Sequence, residues 1–279
     1  MIEFTALGLT APDSSIIGVI QEGGDFAIAA SGVAGMGPDD AILEQAFSKL
    51  DATSKALAVS RLVQQRRAGA TFVLLTHDEP LLESCADEIW WMRQGKLVAR
   101  GGPAEVLELY RAHVAQAVRA AGHNQQAPIA PVLRDGDGRA VLEGIDLLGA
   151  DSVSTTVWRS GEAAAIRVTV RFRGDVADPV VGILIRTRIG LNVYGTNTEL
   201  ENIHFGPMRA GDTVRIIYRF ACNLCPGDYT VTAASHDPDG VWHDWLEDAV
   251  AFAVADSRYT AGVANLGAQV VAEVLPRNT

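Results

Sequence analysis

Positive charge is scarce in this chain. Against 34 Asp and Glu stand 23 Lys and Arg, a formal net charge of −11 over 279 residues. That leaves no basic footprint for a phosphate backbone, and no nucleic-acid partner is expected. Cysteine is scarcer still, at three residues, which implies no disulfide scaffold. No apolar run reaches the roughly 18–20 residues of a membrane span, so direct membrane insertion is not expected. The opening MIEFTALGL carries neither a basic n-region nor a signal-type apolar core. These absences point to a soluble, cytoplasmic chain. What is present, 48% hydrophobic and 20% charged residues, is a globular composition. The length suits two domains of roughly 100–200 residues each.

The two halves differ in period. In the first, the short apolar run Ile16-Ile17-Gly18-Val19-Ile20 reads as a central strand, and Phe72-Val73-Leu74-Leu75 as another. Unalternated runs of this kind belong to sheets buried on both faces. Asp51-Ala52-Thr53-Ser54 predicts a helix start, Glu79–Ala86 a second helix, Glu88–Ala99 a hairpin turning at Gly95, and Pro103 a third helix start. Residues 119–138 are polar, contain two prolines and show no period, so a linker is expected there. Beyond it the period becomes two. Ile166, Val168, Val170 and Phe172 alternate with Arg167, Thr169, Arg171 and Arg173, and TVRIIYRF repeats the pattern. Further short strands separated by Gly, Pro and Asp turns predict a β-sandwich.

The order THDEPLLESCADEIWWMRQGKLVARGG, from Thr76, resembles the end of an ABC transporter ATPase domain, over roughly residues 1–115. His77 falls at the switch-histidine position. PDDAILEQAFSKLD (Pro38–Asp51) lies on the Walker B segment, with Glu44 at the Mg²⁺-linked aspartate, Gln45 at the catalytic glutamate and Asp51 at the D-loop aspartate. A glutamine cannot accept a proton as the carboxylate would. The phosphate cradle, GxxxxGK[ST] in that family, is replaced by QEGGDFAIAA (residues 21–30), with no Lys and with an added Asp25. SGVAG at Ser31 is a faint echo of the signature, and the stretch before Pro38 is too short for a Q-loop and helical subdomain. The resemblance therefore implies a pseudo-ATPase in which ATP is not expected as a cofactor, His77 being a polar strand-end residue that caps the next helix.

The second half resembles the C-terminal domain of the Wzt subfamily of polysaccharide-exporting ABC ATPases. The match rests on WRSGEAAAIRVTVRF, GILIRTRIGLNVYGTNT (Gly182–Thr198) and AGDTVRIIYRFACNLCPGDYTVTAASHD. The fold class this implies is an α/β remnant of an ABC ATPase domain (1–118), a linker (119–138) and an all-β immunoglobulin-like sandwich (139–279). The implied partners are an O-antigen-like glycan, an exporter ATPase or permease, and a second copy of the chain, with Thr260–Val274 expected as a strand paired either in its own sandwich or in a partner's. Such a chain would sit in the cytoplasm, peripheral to the inner membrane through a transporter.

Carbohydrate sites set flat aromatic faces against sugar rings and polar groups against hydroxyls. Two clusters qualify: Trp242, His243, Asp244 and Trp245 in the loop HDPDGVWHDWLED, and Asn192, Tyr194 and Asn197. Against them stands the reading that one Trp fills the core and Asn197 ties a turn. Cys222 and Cys225 have zinc-knuckle spacing without a second pair, so no metal is expected. Acidic neighbours such as Asp237 and Asp239 lack the defined separation of a glycosidase pair. The expected function is glycan recognition without hydrolysis. The alternative is a structural or regulatory dimerisation partner of an active exporter ATPase.

Overall fold

The computed structural model describes residues 1–5, 7–23, 32–45, 47–258 and 260–272, and the chain divides into the units Met1–His113 and Val114–Thr279. The first contains β1 (Ile2–Phe4), β2 (Leu9–Ala11), β3 (Ile16–Glu22), β4 (Val33–Ala34), β5 (Ala41–Glu44), α1 (Ala52–Arg67), β6 (Phe72–Leu75), α2 (Glu79–Cys85), β7 (Glu88–Arg93) and β8 (Lys96–Gly101). Helix α3 (Pro103–Gly122) begins in this unit and continues into the next. Five strands pair in the order β5-β6-β3-β7-β8, parallel except for the last pair. Strands β2-β1-β4 form a separate antiparallel sheet.

The unalternated apolar runs have a direct cause. Ile16, Phe72, Leu74, Ile89 and Trp91 pack with Leu62, Leu82 and Leu107 from the helices, whereas Ile17, Val73, Leu75 and Trp90 pack with Ile2, Phe4 and Leu9 of the small sheet. Alternate residues of the same strands thus feed two cores, and both faces must be apolar. Gly18 lets α2 pack closely on β3, since a Cβ there would meet Leu82 Cδ2 at 2.6 Å and force that side chain to shift. Asp51 caps α1 by accepting from Ser54 N at 2.9 Å. The cap of α2 is Asp78, accepting from Leu81 N at 3.0 Å, in place of the expected His77; a carboxylate is the better acceptor for an orphan helix amide.

The second unit holds β9 (Leu133–Asp135), β10 (Ala140–Leu148), β11 (Val157–Trp158), β12 (Ala163–Phe172), β13 (Val180–Thr187), β14 (Asn192–Asn197), β15 (Thr213–Ala221), β16 (Gly227–His236) and β17 (Trp242–Val254). One sheet runs β10-β12-β15; the other runs β11-β17-β16-β13-β14, with β9 also on β17. Leu142, Ile166, Val168 and Ile216 of the first sheet share a core with Val181, Ile183, Val231, Ala233, Leu246 and Val250 of the second. Trp158 is fully buried among them, its Nε1 donating to Leu148 O at 3.0 Å.

Three expectations are corrected here. The segment 119–138 is not a free linker: α3 continues to Gly122, Ala130 N and Val132 N donate to Ala249 O and Glu247 O at 2.8 and 2.9 Å, and β9 pairs with β17. The expected loop at 236–248 is mostly strand, since β17 begins at Trp242. The described residues from Thr260 form no strand, only an isolated bridge of Ala264 to Leu224; they dock on their own unit by Cys225 N→Val263 O (2.9 Å) and Asn265 N→Asn223 O (2.8 Å), after which Leu266, Val270 and Val271 are exposed. The last two residues of the expected strand, 273 and 274, lie outside the described residues.

Candidate functional site

The outward face of the six-stranded sheet carries the aromatic cluster. Because Val181, Ile183, Val231, Ala233 and Leu246 point into the core, their neighbours Gly182, Leu184, Thr232, Ala234 and Trp245 point away from it. One row crosses the sheet as Asn197–Gly182–Ala234–Trp245. Gly182 and Ala234 form a low floor, and a groove of about 190 Å³ opens over it, walled by Trp242, Trp245, His236, Leu184, Leu200 and Asn197.

The two indoles meet edge to face, centroids 4.6 Å apart at 66°, and His236 lies 4.9 Å from Trp242. Residues three apart on a regular strand face opposite sides. Here His236 pairs with Trp242 and Ser235 with Asp244, so His243 is an inserted residue, a β-bulge that brings Trp242 and Trp245 to one face. His236 Nδ1 donates to Asp237 O at 2.7 Å, leaving Nε2 as an acceptor. Asn197 Oδ1 accepts from Leu200 N at 2.7 Å, so the side chain ties its turn and also borders the groove. Further along the same face Arg186 binds Glu247 at 2.7 Å and Asp248 at 3.1 Å.

The other sequence-predicted residues lie elsewhere. His243 is fully buried, its Nδ1 3.1 Å from Ser235 Oγ and its Nε2 3.1 Å from Asp237 Oδ1 but outside hydrogen-bond alignment. Burial pulls its pKa below the ordinary value, against the opposing pull of Asp237. Asp244 is 4% exposed and held by Arg134 and by Leu142 N. Neither reaches the groove wall. Asn192 sits at the far end of β14, and Tyr194 points to the opposite side, 6.5 Å from Phe220. Cys222 and Cys225 are buried in the β15–β16 connection. The floor residues Gly182 and Ala234 and the wall residues Leu184 and Leu200 carried no chemical signal in the sequence. Small residues at outward strand positions would have been the clue.

In the first unit, Glu44 ends β5 exposed and pairs in register with Leu75. Gln45 follows at φ +46°, its N donating to Leu75 O at 2.9 Å, and exposed His77 lies just past the end of β6. These three share the carboxyl ends of adjacent parallel strands, while Asp51 is spent on the α1 cap. Most of the altered cradle, including Asp25, and Ser31 of the signature echo lie outside the described residues, whereas the rest of the echo, Gly32–Gly35, is described and contains β4, paired with β1.

Residues 132–266 match the model of the Wzt C-terminal domain. The chain is 22% identical over 217 residues to the O-antigen export system ATP-binding protein RfbB of Myxococcus xanthus, covering 73% of this chain and 48% of that protein. It is 44% identical over 73 residues to the Fe(3+) ions import ATP-binding protein FbpC of Pseudomonas fluorescens, covering 25% of this chain and 19% of that one. The chain thus spans less than half the length of these relatives. Among solved structures, the C-terminal domain of wzt aligns at 22% identity and TM-score 0.49, covering 53% of this chain and 93% of that one.

Proposed function

We propose, from the premise that this chain is Wzt-like and carries a Wzt C-terminal domain over residues 132–266, that it recognises a surface polysaccharide of the O-antigen kind without hydrolysing ATP. The observation that carries this reading is the pair Trp242 and Trp245, turned to one face over the floor of Gly182 and Ala234. A sugar ring presents an apolar face that suits an indole and hydroxyls that suit the Asn197 amide and His236 Nε2. The two sheets around one core support an immunoglobulin-like sandwich.

The relative named for O-antigen export supports placement beside an ABC exporter, through its ATPase or permease. No helix among the described residues is long and apolar enough to cross a membrane, so association is proposed to be peripheral, on the cytoplasmic side. The pseudo-ATPase reading rests on Gln45 at the catalytic-glutamate position and on a cradle without Lys; no ATP cofactor is assigned. Calorimetric titration with polysaccharide from the producing organism tests recognition, and saturable binding is the expected result.

The second reading, a dimerisation partner of an active exporter ATPase without glycan binding of its own, is favoured by the exposed Leu266, Val270 and Val271 at the end of the described chain. A stable homodimer that takes up no glycan would select it.

A further inference from the structure

We propose that His243 is the positioning residue of the aromatic groove: clamped between Ser235 and Asp237, it holds the turn between β16 and β17 so that Trp242 and His236 stand over the floor, and its protonation releases that turn. The inference rests on the glycan-site reading for its purpose, though its test does not require a glycan.

Three observations carry it. His243 is the inserted residue of the bulge that sends Trp242 and Trp245 to one side. Its ring is fully enclosed between β16 and the turn, Nδ1 3.1 Å from Ser235 Oγ and Nε2 3.1 Å from Asp237 Oδ1, the latter outside hydrogen-bond alignment. Its backbone is pinned as well: His243 O accepts from Gly138 N at 2.9 Å and Trp242 O accepts from Asp137 N at 3.0 Å. A Cβ at Gly136 would come within 2.4 Å of His243 O, so that approach needs glycine.

The charges around the ring come from every neighbouring segment. Asp237 faces Nε2 and is bound by Arg139, which also holds Asp137. Asp244 with Arg134, and also Asp135 and Arg173, border the adjoining cavity. Asp237 and Asp137 against the single Arg139 leave the surroundings net negative, which favours a proton on His243; what opposes the proton is the complete enclosure of the ring, which offers the cation no solvent. Burial keeps the folded ring neutral, with its pKa below the ordinary value. The sign follows: this contribution is fully present above the ordinary histidine pKa and is lost as pH falls through the lower folded value. The opened turn takes the proton more readily, so acid favours it.

The test is acrylamide quenching of tryptophan fluorescence in the full chain without ligand. Trp90, Trp91 and Trp158 are at most 6% exposed, so the quencher reads Trp242 at 38% and the partly buried Trp245 beside it. Between about pH 7.5 and about pH 5 the quenching constant is expected to rise roughly twofold while far-UV circular dichroism stays unchanged. The rise should persist in His236→Asn, which removes the other histidine beside Trp242, and vanish in His243→Gln. A flat wild-type profile, or a response lost in His236→Asn, overturns the proposal. So does a response retained in His243→Gln. If His243→Gln does not fold, the comparison of wild type with His236→Asn still decides. Failure of glycan titration with this response intact would instead count against the glycan reading.

Discussion

Arg134 grips Asp244 with both arms of its guanidinium, Nε to Oδ1 at 2.9 Å and Nη2 to Oδ2 at 2.7 Å, and the same carboxylate accepts Leu142 N from the opposite sheet at 2.8 Å. One side chain on β17 therefore binds an edge strand and the facing sheet together.

Asp244→Ala is expected to destabilise the second unit. It leaves the Leu142 amide buried without a partner and frees Arg134. Because Arg134 is half-exposed, the loss should be about 2 kcal/mol rather than the larger cost of a fully buried pair. Chemical denaturation reads it as a lower midpoint at unchanged slope. An unaltered midpoint would mean the contact contributes nothing.

Trp242→Ala and Trp245→Ala should each weaken glycan binding by about 2 kcal/mol, roughly 30-fold, as anchors of a small site do. Tyr194→Ala, on the other side of β14, should change affinity by less than about twofold, within the range of surface substitutions. Calorimetry on the three variants maps the site. Equal losses at Tyr194 and Trp242 would place binding somewhere other than the groove.

Restoring a carboxylate with Gln45→Glu is expected to give no ATPase activity, because a general base is of no use without a phosphate cradle. Titration of the parent chain with Mg-ATP should show no saturable binding tighter than about 1 mM. Micromolar affinity would refute the pseudo-ATPase reading.

The thiols should divide by burial. Desolvation pushes the Cys222 pKa up to about 11, so it stays protonated and enclosed at neutral pH; Cys225 is equally buried, and Cys85 only partly. A thiol reagent at neutral pH should modify at most Cys85 in the folded chain and all three cysteines after unfolding. Rapid native labelling of Cys222 would show that the β15–β16 connection opens.

Much of the fold was legible because its causes are local. Phe72-Val73-Leu74-Leu75 announces a sheet covered on both faces, and Asp51 announces the α1 cap. Ile166, Val168, Val170 and Phe172 announce one buried side, and all four are buried in β12. The candidate site was legible only in part. Trp242, Trp245 and Asn197 border the groove, but their neighbours His243 and Asp244 could be sorted from them only by knowing that the stretch is strand and where the bulge falls. That depends on pairing with Ser235 and His236, which no local pattern encodes. The segment 119–138 was misread for a related reason: Ala130 and Val132 are held by backbone bonds to β17, to which side-chain composition is blind.

The single inserted residue at 243 makes the aromatic face a matter of counting as well as of chemistry. The facing of Trp242, the one residue of β17 before the bulge, is set by that extra residue, so loss of one codon there would turn one indole toward the core with no change to either tryptophan. A lineage could gain or abandon this surface in one insertion or deletion, leaving the rest of the sheet as it was.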